Sequence, residues 1–296
     1  RHVEIQVLCD SYGNAIHLNE RDCSLQRRHQ KVLDEAPSPA VTPLIRAAMG
    51  ETAVQAAQSV DYEGVGTVEF LLSSRGDFFF LEMNTRLQVE HPITELTTGI
   101  DLVQKQFEVA SGMKLAIQQD EVGLFGHAIE ARIYAEDASK GFLPAIGKLA
   151  MWRPPSTPGV RFDSGFREGD EVTVDFDPML AKLIVHAPSR KAALRRLDTA
   201  LSDFVALGVT TNVGFLRQVA AEPAFTNGEV TTDYLDSTSL STFSEPKPED
   251  AILVAIAAAA SRFGLDRTAG SASVTDFDEH SGHSGDPFRT LTRSFP

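Results

Sequence analysis

The chain has 296 residues, 42% of them hydrophobic and 23% charged, which is enough ordinary globular sequence for a substantial core and a second module. A net charge of −14 excludes the broad basic face that nucleic acid or an anionic membrane surface favours, so an anionic ligand has to meet a local basic patch. Two cysteines, Cys9 and Cys23, give no disulfide framework and point to a reducing compartment, the cytoplasm. No apolar run approaches the roughly 20 residues of a membrane helix.

RHVEIQVLCD already alternates as a strand, with Val3, Ile5 and Val7 on one face, and reads as a start inside a domain. A turn at Gly13-Asn14 leads into AIHLNERDC, completing a β-hairpin. QRRHQKVLDEAPSP reads as an irregular connection, basic and then acidic; Arg27, Arg28, His29 and Lys31 supply the local basic patch, with a solvated loop as the alternative. TPLIRAAMGETAVQAAQSV predicts a helix capped by Thr42 with Pro43 in its first turn. Two strands follow, GTVEFLL and DFFFLEMN, joined by SSRG, and then one helix over ITELTTGIDLVQKQFEVASG ended by Gly112.

From about residue 126 the texture changes to short strands broken by Gly, Pro and Asp: HAIEARIYAED, KLAMWRPP, GVRFDSG, DEVTVDFD and AKLIVHAP. That pattern suits a small barrel or half-barrel. SRKAALRRLDTALSDFVALGV is an amphipathic helix, STSLSTFSEPKPED has linker composition, and an alanine-rich helix and a polar tail close the chain. The expected fold class is therefore α+β.

If SSRG centres its turn, Glu69 stands opposite Glu82 with both side chains on one face. Facing like charges destabilise a sheet, and a bound cation removes that cost. Oxygen ligands, with Asn84 as a third, suit Mg²⁺ or Mn²⁺; solvated carboxylates are the plainer alternative. The alternation continues through Arg86, Gln88 and Glu90, so one strand face could run from metal ligand to cation to carboxylate. A carboxylate beside an arginine and a metal-bound phosphate can take a proton from a small acid. Arg132 alternates with Glu130 and is either ion-paired, with Glu130 or Asp137, or faces a cleft as an electrostatic stabiliser. His280 and His283 read as tail residues, the cysteines as packed, and Phe78, Phe79 and Phe80 as core before an adenine wall.

Together, RHVEIQVL, ERDCSLQRRHQKVLDEAPSP, FLEMNTRLQVEHPITELTTGIDLVQ, HAIEARIYAED, FDPMLAKLIVHAPSR and GVTTNVGFL resemble the C-terminal part of biotin carboxylase, an ATP-grasp enzyme, over residues 1 to 236. The FDPMLAKL form and the tail resemble most the biotin-containing α subunit of an acyl-CoA carboxylase. The resemblance divides the chain into the C-terminal part of an ATP-grasp domain (1–118), a β-rich, half-barrel C-terminal domain (123–236), a linker (237–250) and an incomplete linking region (251–296).

The resemblance also implies roles. Glu69, Glu82 and Asn84 would hold Mg²⁺ or Mn²⁺ on the ATP phosphates; His2, Gln26 and His29 would line the ribose and phosphates, and Leu71 and Val209 the adenine. Lys31, Arg86, Gln88 and the Val89 backbone would bind bicarbonate, Glu90 would deprotonate it, and Arg132 would stabilise the enolate of carrier-linked biotin. The implied partners are a biotin carboxyl carrier domain, a carboxyltransferase subunit, the N-terminal part of the biotin carboxylase domain and a second copy in the full enzyme. The sequence holds no glycine-rich phosphate lid and no Ala-Met-Lys-Met biotin acceptor, so the chain alone is expected not to turn over ATP. Another ATP-grasp ligase would share the paired carboxylates but not VEHPITE, and a non-catalytic remnant or docking module would retain the site only by inheritance.

Overall fold

Strands β1 (His2–Cys9) and β2 (Ala15–Arg27) form the expected antiparallel hairpin. The computed structural model, which describes residues 1–238 and Ala255, then departs from the expected irregular connection. β2 runs on to Arg27 and returns as β3 (Gln30–Ala36) through a two-residue turn at Arg28 and His29, whose φ values are 48° and 67°. Such turns normally announce themselves with glycine or asparagine, and here neither is present. The basic patch is therefore a hairpin tip.

Helix α1 (Pro43–Gln58) begins where the sequence places it, with the Thr42 hydroxyl accepting from the Ile45 N–H at 3.3 Å. Its Met49, Ala53 and Ala57 recur four apart and pack on Val3, Ile5 and Val7 of β1 and on Val68 and Phe70 of β4 (Gly64–Leu72). Side chains alternate along a strand, so His2, Glu4, Gln6, Thr67 and Glu69 project from the opposite face. That division places the polar cleft across the sheet from α1. β5 (Phe78–Asn84) pairs antiparallel with β4.

The long helix expected after β5 is two helices, α2 (His91–Thr98) and α3 (Leu102–Ala110). Gly99, at φ 75°, takes the left-handed cap position and its N–H donates to the Glu95 carbonyl at 2.8 Å. Asp101 then caps α3, accepting from the Gln104 N–H at 2.8 Å. The sequence ITELTTGIDL thus carries a stop signal followed at once by a start signal.

The remaining elements are β6 (His127–Tyr134), β7 (Glu136–Asp137), β8 (Leu143–Pro144), β9 (Gly147–Lys148), β10 (Met151–Arg153), β11 (Val160–Ser164), β12 (Glu171–Val172), β13 (Met179–Ala187), α4 (Arg190–Asp203), β14 (Val205–Leu207), α5 (Val213–Ala221), α6 (Pro223–Thr226) and α7 (Tyr234–Ser237). The longer strands do not stand apart from the first sheet. β6 pairs with β3, β13 with β6 and β11 with β13, giving one eight-stranded antiparallel sheet in the order β11-β13-β6-β3-β2-β1-β4-β5. The short strands make two-stranded ribbons beside it, and α4 and α5 bury Leu197, Leu201, Phe215 and Val219 against Ile129, Ile133 and Leu183. Residues 1–238 lie within one compact unit. Among the described residues no helix is long and apolar enough to cross a membrane. Apart from Ala255, the expected alanine-rich helix falls outside the described residues, as do the tail with His280 and His283 and the linker from residue 239 on.

Candidate active site

The face of the sheet opposite α1 opens into a cleft of about 750 Å³. Every residue given a site role by the resemblance lines it except Val209, which is buried in the apolar cluster around Phe215 and Leu216; Arg27 and Arg28 of the basic patch lie outside it. Thr232, Asp233 and Asp236 form part of the wall instead, together with Gln30 and Leu81. No sequence periodicity marks Thr232, Asp233 or Asp236, because α7 and the residues just before it reach the cleft only through the tertiary fold.

Glu69 and Glu82 are cross-strand partners, as their spacing around SSRG requires. The Asn84 amide donates to both, at 2.9 Å to Glu69 Oε1 and 3.2 Å to Glu82 Oε1. A positively polarised N–H group thus sits where two carboxylates converge, and the hard-oxygen donor set fits Mg²⁺ or Mn²⁺. On its other side Glu69 accepts from His2 Nε2 at 2.7 Å, and Gln26 Nε2 lies 2.6 Å from His2 Nδ1, which assigns the His2 proton to Nε2. Burial would raise the pKa of Glu69, but the His2 hydrogen bond and Lys31 outweigh it and hold the carboxyl down to about 2.

The other end of the cleft corrects the idea of a single strand face. β5 stops at Asn84, residues 85–90 form a loop, and Glu90 occupies the N-cap position of α2. The loop nevertheless returns Gln88 and Glu90 to the sheet. Gln88 donates to Glu69 Oε1 at 2.7 Å, and Glu90 is gripped from two sides, by Lys31 Nζ on Oε1 and by Arg132 on Oε2 at 3.0 Å. Lys31 also donates to Glu4 at 2.7 Å. Burial works against its charge, yet the surrounding Cys23, Glu4 and Glu90 raise its affinity for the proton well above the ordinary lysine value. Arg86 is exposed and makes only long contacts, 3.3 Å to the Leu87 carbonyl and 3.4 Å to Asn84, so its fork can meet an anion.

Arg132 pairs with neither Glu130 nor Asp137. Its partners are Glu90 and Asp34, the latter at 3.1 Å from Nε, while Asp137 accepts from Lys140. Glu130 and Arg132 do share a strand, but Glu130 is fully buried and neither of its oxygens has a hydrogen-bond partner among the described residues. Burial pushes its carboxyl well above the usual range.

Two residues behind the cleft escaped the sequence reading. Arg21, fully buried, donates to Glu4 and Gln6 at 2.6 Å, to Thr94 at 2.9 Å, to Gln88 at 3.0 Å and to Thr67 at 3.1 Å. Glu4, its partner, is held down to about 2 although burial opposes this, because Lys31 and Arg21 lie on either side. The signal was present in the alternation of HVEIQV, whose apolar positions face α1 and whose His2, Glu4 and Gln6 therefore share the other face.

Two family models match the chain: the carbamoyl-phosphate synthase L chain, ATP binding domain, over residues 1–118, and the biotin carboxylase C-terminal domain over residues 130–237. The chain belongs to the biotin carboxylase family. It is 51% identical over 263 residues to the mitochondrial propionyl-CoA carboxylase alpha chain of Caenorhabditis elegans, a match covering 86% of this chain and 36% of that protein. The mitochondrial methylcrotonoyl-CoA carboxylase subunit alpha of Oryza sativa subsp. japonica is 53% identical over 238 residues, covering 80% of this chain and 32% of its own length. Among solved structures, the biotin carboxylase domain dimer of the Hydrogenobacter thermophilus 2-oxoglutarate carboxylase, in complex with MgADP, ADP and bicarbonate, superposes with a TM-score of 0.80 at 42% identity. That match covers 82% of this chain and 54% of that one. The chain thus spans about a third of these curated relatives and about half of this biotin carboxylase domain. The biotin carboxylase C-terminal match separates it from other ATP-grasp ligases, which the paired carboxylates alone could not do.

Proposed function

We propose that this chain supplies one part of a biotin carboxylase active site, which in the completed enzyme carboxylates carrier-linked biotin with ATP and bicarbonate. The observation that carries the reading is Glu90, a carboxylate clamped between Lys31 and Arg132 in the same cleft as the facing Glu69 and Glu82.

In this reading Lys31, Arg86, Gln88 and the Val89 backbone hold bicarbonate, and Glu90 accepts its proton. Lys31 and Arg132 fix one oxygen of the Glu90 carboxylate each, which holds the base in one orientation. The resulting dianion attacks the γ-phosphate of ATP and ADP leaves; the carboxyphosphate breaks to CO₂ and phosphate, which takes the biotin N1′ proton as N1′ is carboxylated. Arg132, fixed by Asp34 on one edge, stabilises the negative charge on the biotin oxygen. Glu69, Glu82 and Asn84 would hold Mg²⁺ or Mn²⁺, whose charge neutralises the phosphates. His2, Gln26, His29 and Leu71 would line the nucleotide side.

The partners in this reading are the rest of the biotin carboxylase domain, a biotin carboxyl carrier domain, a carboxyltransferase subunit and a second copy of the enzyme. The acyl-CoA carboxylase relatives support an acyl-CoA as the eventual acceptor. The two buried, unpaired cysteines suit a reducing compartment, the cytoplasm in this reading, and cell fractionation decides between it and the mitochondrion named for the relatives.

The test mixes the purified chain with the N-terminal half of a biotin carboxylase domain and measures bicarbonate-dependent ADP release with free biotin. Activity confined to the mixture and abolished by Glu90→Gln supports the reading. A folded chain with an inactive mixture favours the remnant or docking reading instead.

A further inference from the structure

Lys182, on β13, is the lysine of the FDPMLAKL segment, to which neither spacing nor the resemblance gave a role. Its ammonium donates to the Val89 carbonyl at 2.8 Å and lies 3.5 Å from Asp163 on β11, with only 13% of the side chain exposed. Asp163 is gripped by Arg161 at 2.9 Å, and Arg161 reaches Glu95 of α2 at 2.6 Å. Helix α2, whose N-cap position is Glu90, is therefore fastened to the β11–β13 edge at two points: through Val89 just before its start, and through Glu95 along its length.

The cross-strand register sharpens this. Lys182 stands directly opposite Arg132, and like charges in that position ordinarily destabilise a sheet. Here the two cations divide the work on one unit: Arg132 holds the Glu90 carboxylate, and Lys182 holds the peptide that joins Val89 to Glu90. A peptide is planar, so anchoring its carbonyl also sets the direction of the Glu90 N–H and the root from which the Glu90 side chain leaves.

We propose that Lys182 is a positioning residue for the bicarbonate step, holding the Val89–Glu90 peptide so that the Val89 backbone and the Glu90 carboxylate address the same bound anion. The inference rests on the biotin carboxylase reading of the cleft. It concerns bicarbonate and not the nucleotide, because Lys182 touches the loop at Val89 and lies away from the Glu69–Glu82 pair. A displaced base costs rate out of proportion to the distance moved.

The test uses the enzyme completed by the rest of its biotin carboxylase domain, with free biotin. Lys182→Met keeps the side-chain length and removes the donor; it should raise KM for bicarbonate about tenfold and lower kcat, with KM for ATP within about twofold of wild type. Lys182→Arg keeps charge and donors, but its planar fork cannot reproduce a point donor, so the same selective effect should appear at about threefold. If Lys182→Met fails to fold, as judged by thermal melting, Lys182→Arg decides. In a folded variant, an unchanged KM for bicarbonate, or a KM for ATP that rises in step with it, overturns the assignment. Failure of the parent reading looks different: the wild-type enzyme itself would release ADP without bicarbonate dependence, or not at all.

Discussion

Glu69 and Glu82 face one another across the β4–β5 pair, and the amide of Asn84 donates to both. Stability alone gives no reason to keep two carboxylates so placed. Mn²⁺ titrated against the chain and followed by electron paramagnetic resonance should bind at this pair. Glu82→Gln should weaken that binding at least ~tenfold while leaving the fold intact, since Glu82 is exposed. An unchanged affinity would move the metal elsewhere.

Arg21 predicts a stability effect. It is wholly buried with its charge met by Glu4, so Arg21→Met takes one of two cations from the buried Glu4 carboxylate, leaving Lys31, and should cost about 3–5 kcal/mol in urea unfolding. Adding Glu4→Gln should recover part of that loss, because the two residues act as one unit. A loss below about 1 kcal/mol would mean that the pair contributes little.

The pH dependence follows from Glu4 and Glu69, both held at about 2 against an ordinary 4.5. A carboxyl with a lower folded value adds stability that is fully present above its unfolded value and lost as pH falls through the folded one. The melting temperature should therefore fall as pH drops from about 4.5 toward 2, and fall less in Glu4→Gln, which starts lower. Glu130 acts in the opposite sense. Its raised value gives stability that is present in acid and lost as pH rises above the ordinary carboxyl range, so Glu130→Gln should flatten the curve above that range. Melting temperatures across pH for both variants check the two limbs.

Local signals carried much of this structure. Thr42 and Pro43 mark the start of α1, and SSRG fixes the register that sets Glu69 against Glu82. Where two short-range signals met, the reading merged them: Gly99 and Asp101 end one helix and begin another within three residues. The Arg28–His29 turn was hidden because its left-handed residues are of unusual type for that conformation. Glu90 lines the cleft although the strand expected to carry it ends at Asn84; a loop can preserve the order of side chains along a cleft after the alternation has gone. Arg132's true partners, Asp34 and Glu90, lie on β3 and at the start of α2, and only the strand order β6-β3 brings them together. Lys182 and Thr232 are of the same kind, placed by tertiary contact alone.

The central claim is that Glu90 activates bicarbonate for attack on ATP, and oxygen transfer tests it directly. With ¹⁸O-labelled bicarbonate, ATP and biotin, the completed enzyme should place one labelled oxygen in each phosphate released, because the bond between that oxygen and carbon breaks when carboxyphosphate decomposes. The labelled phosphate should disappear in Glu90→Gln. Unlabelled phosphate from the wild-type enzyme, or label that persists at full rate in Glu90→Gln, would contradict the account.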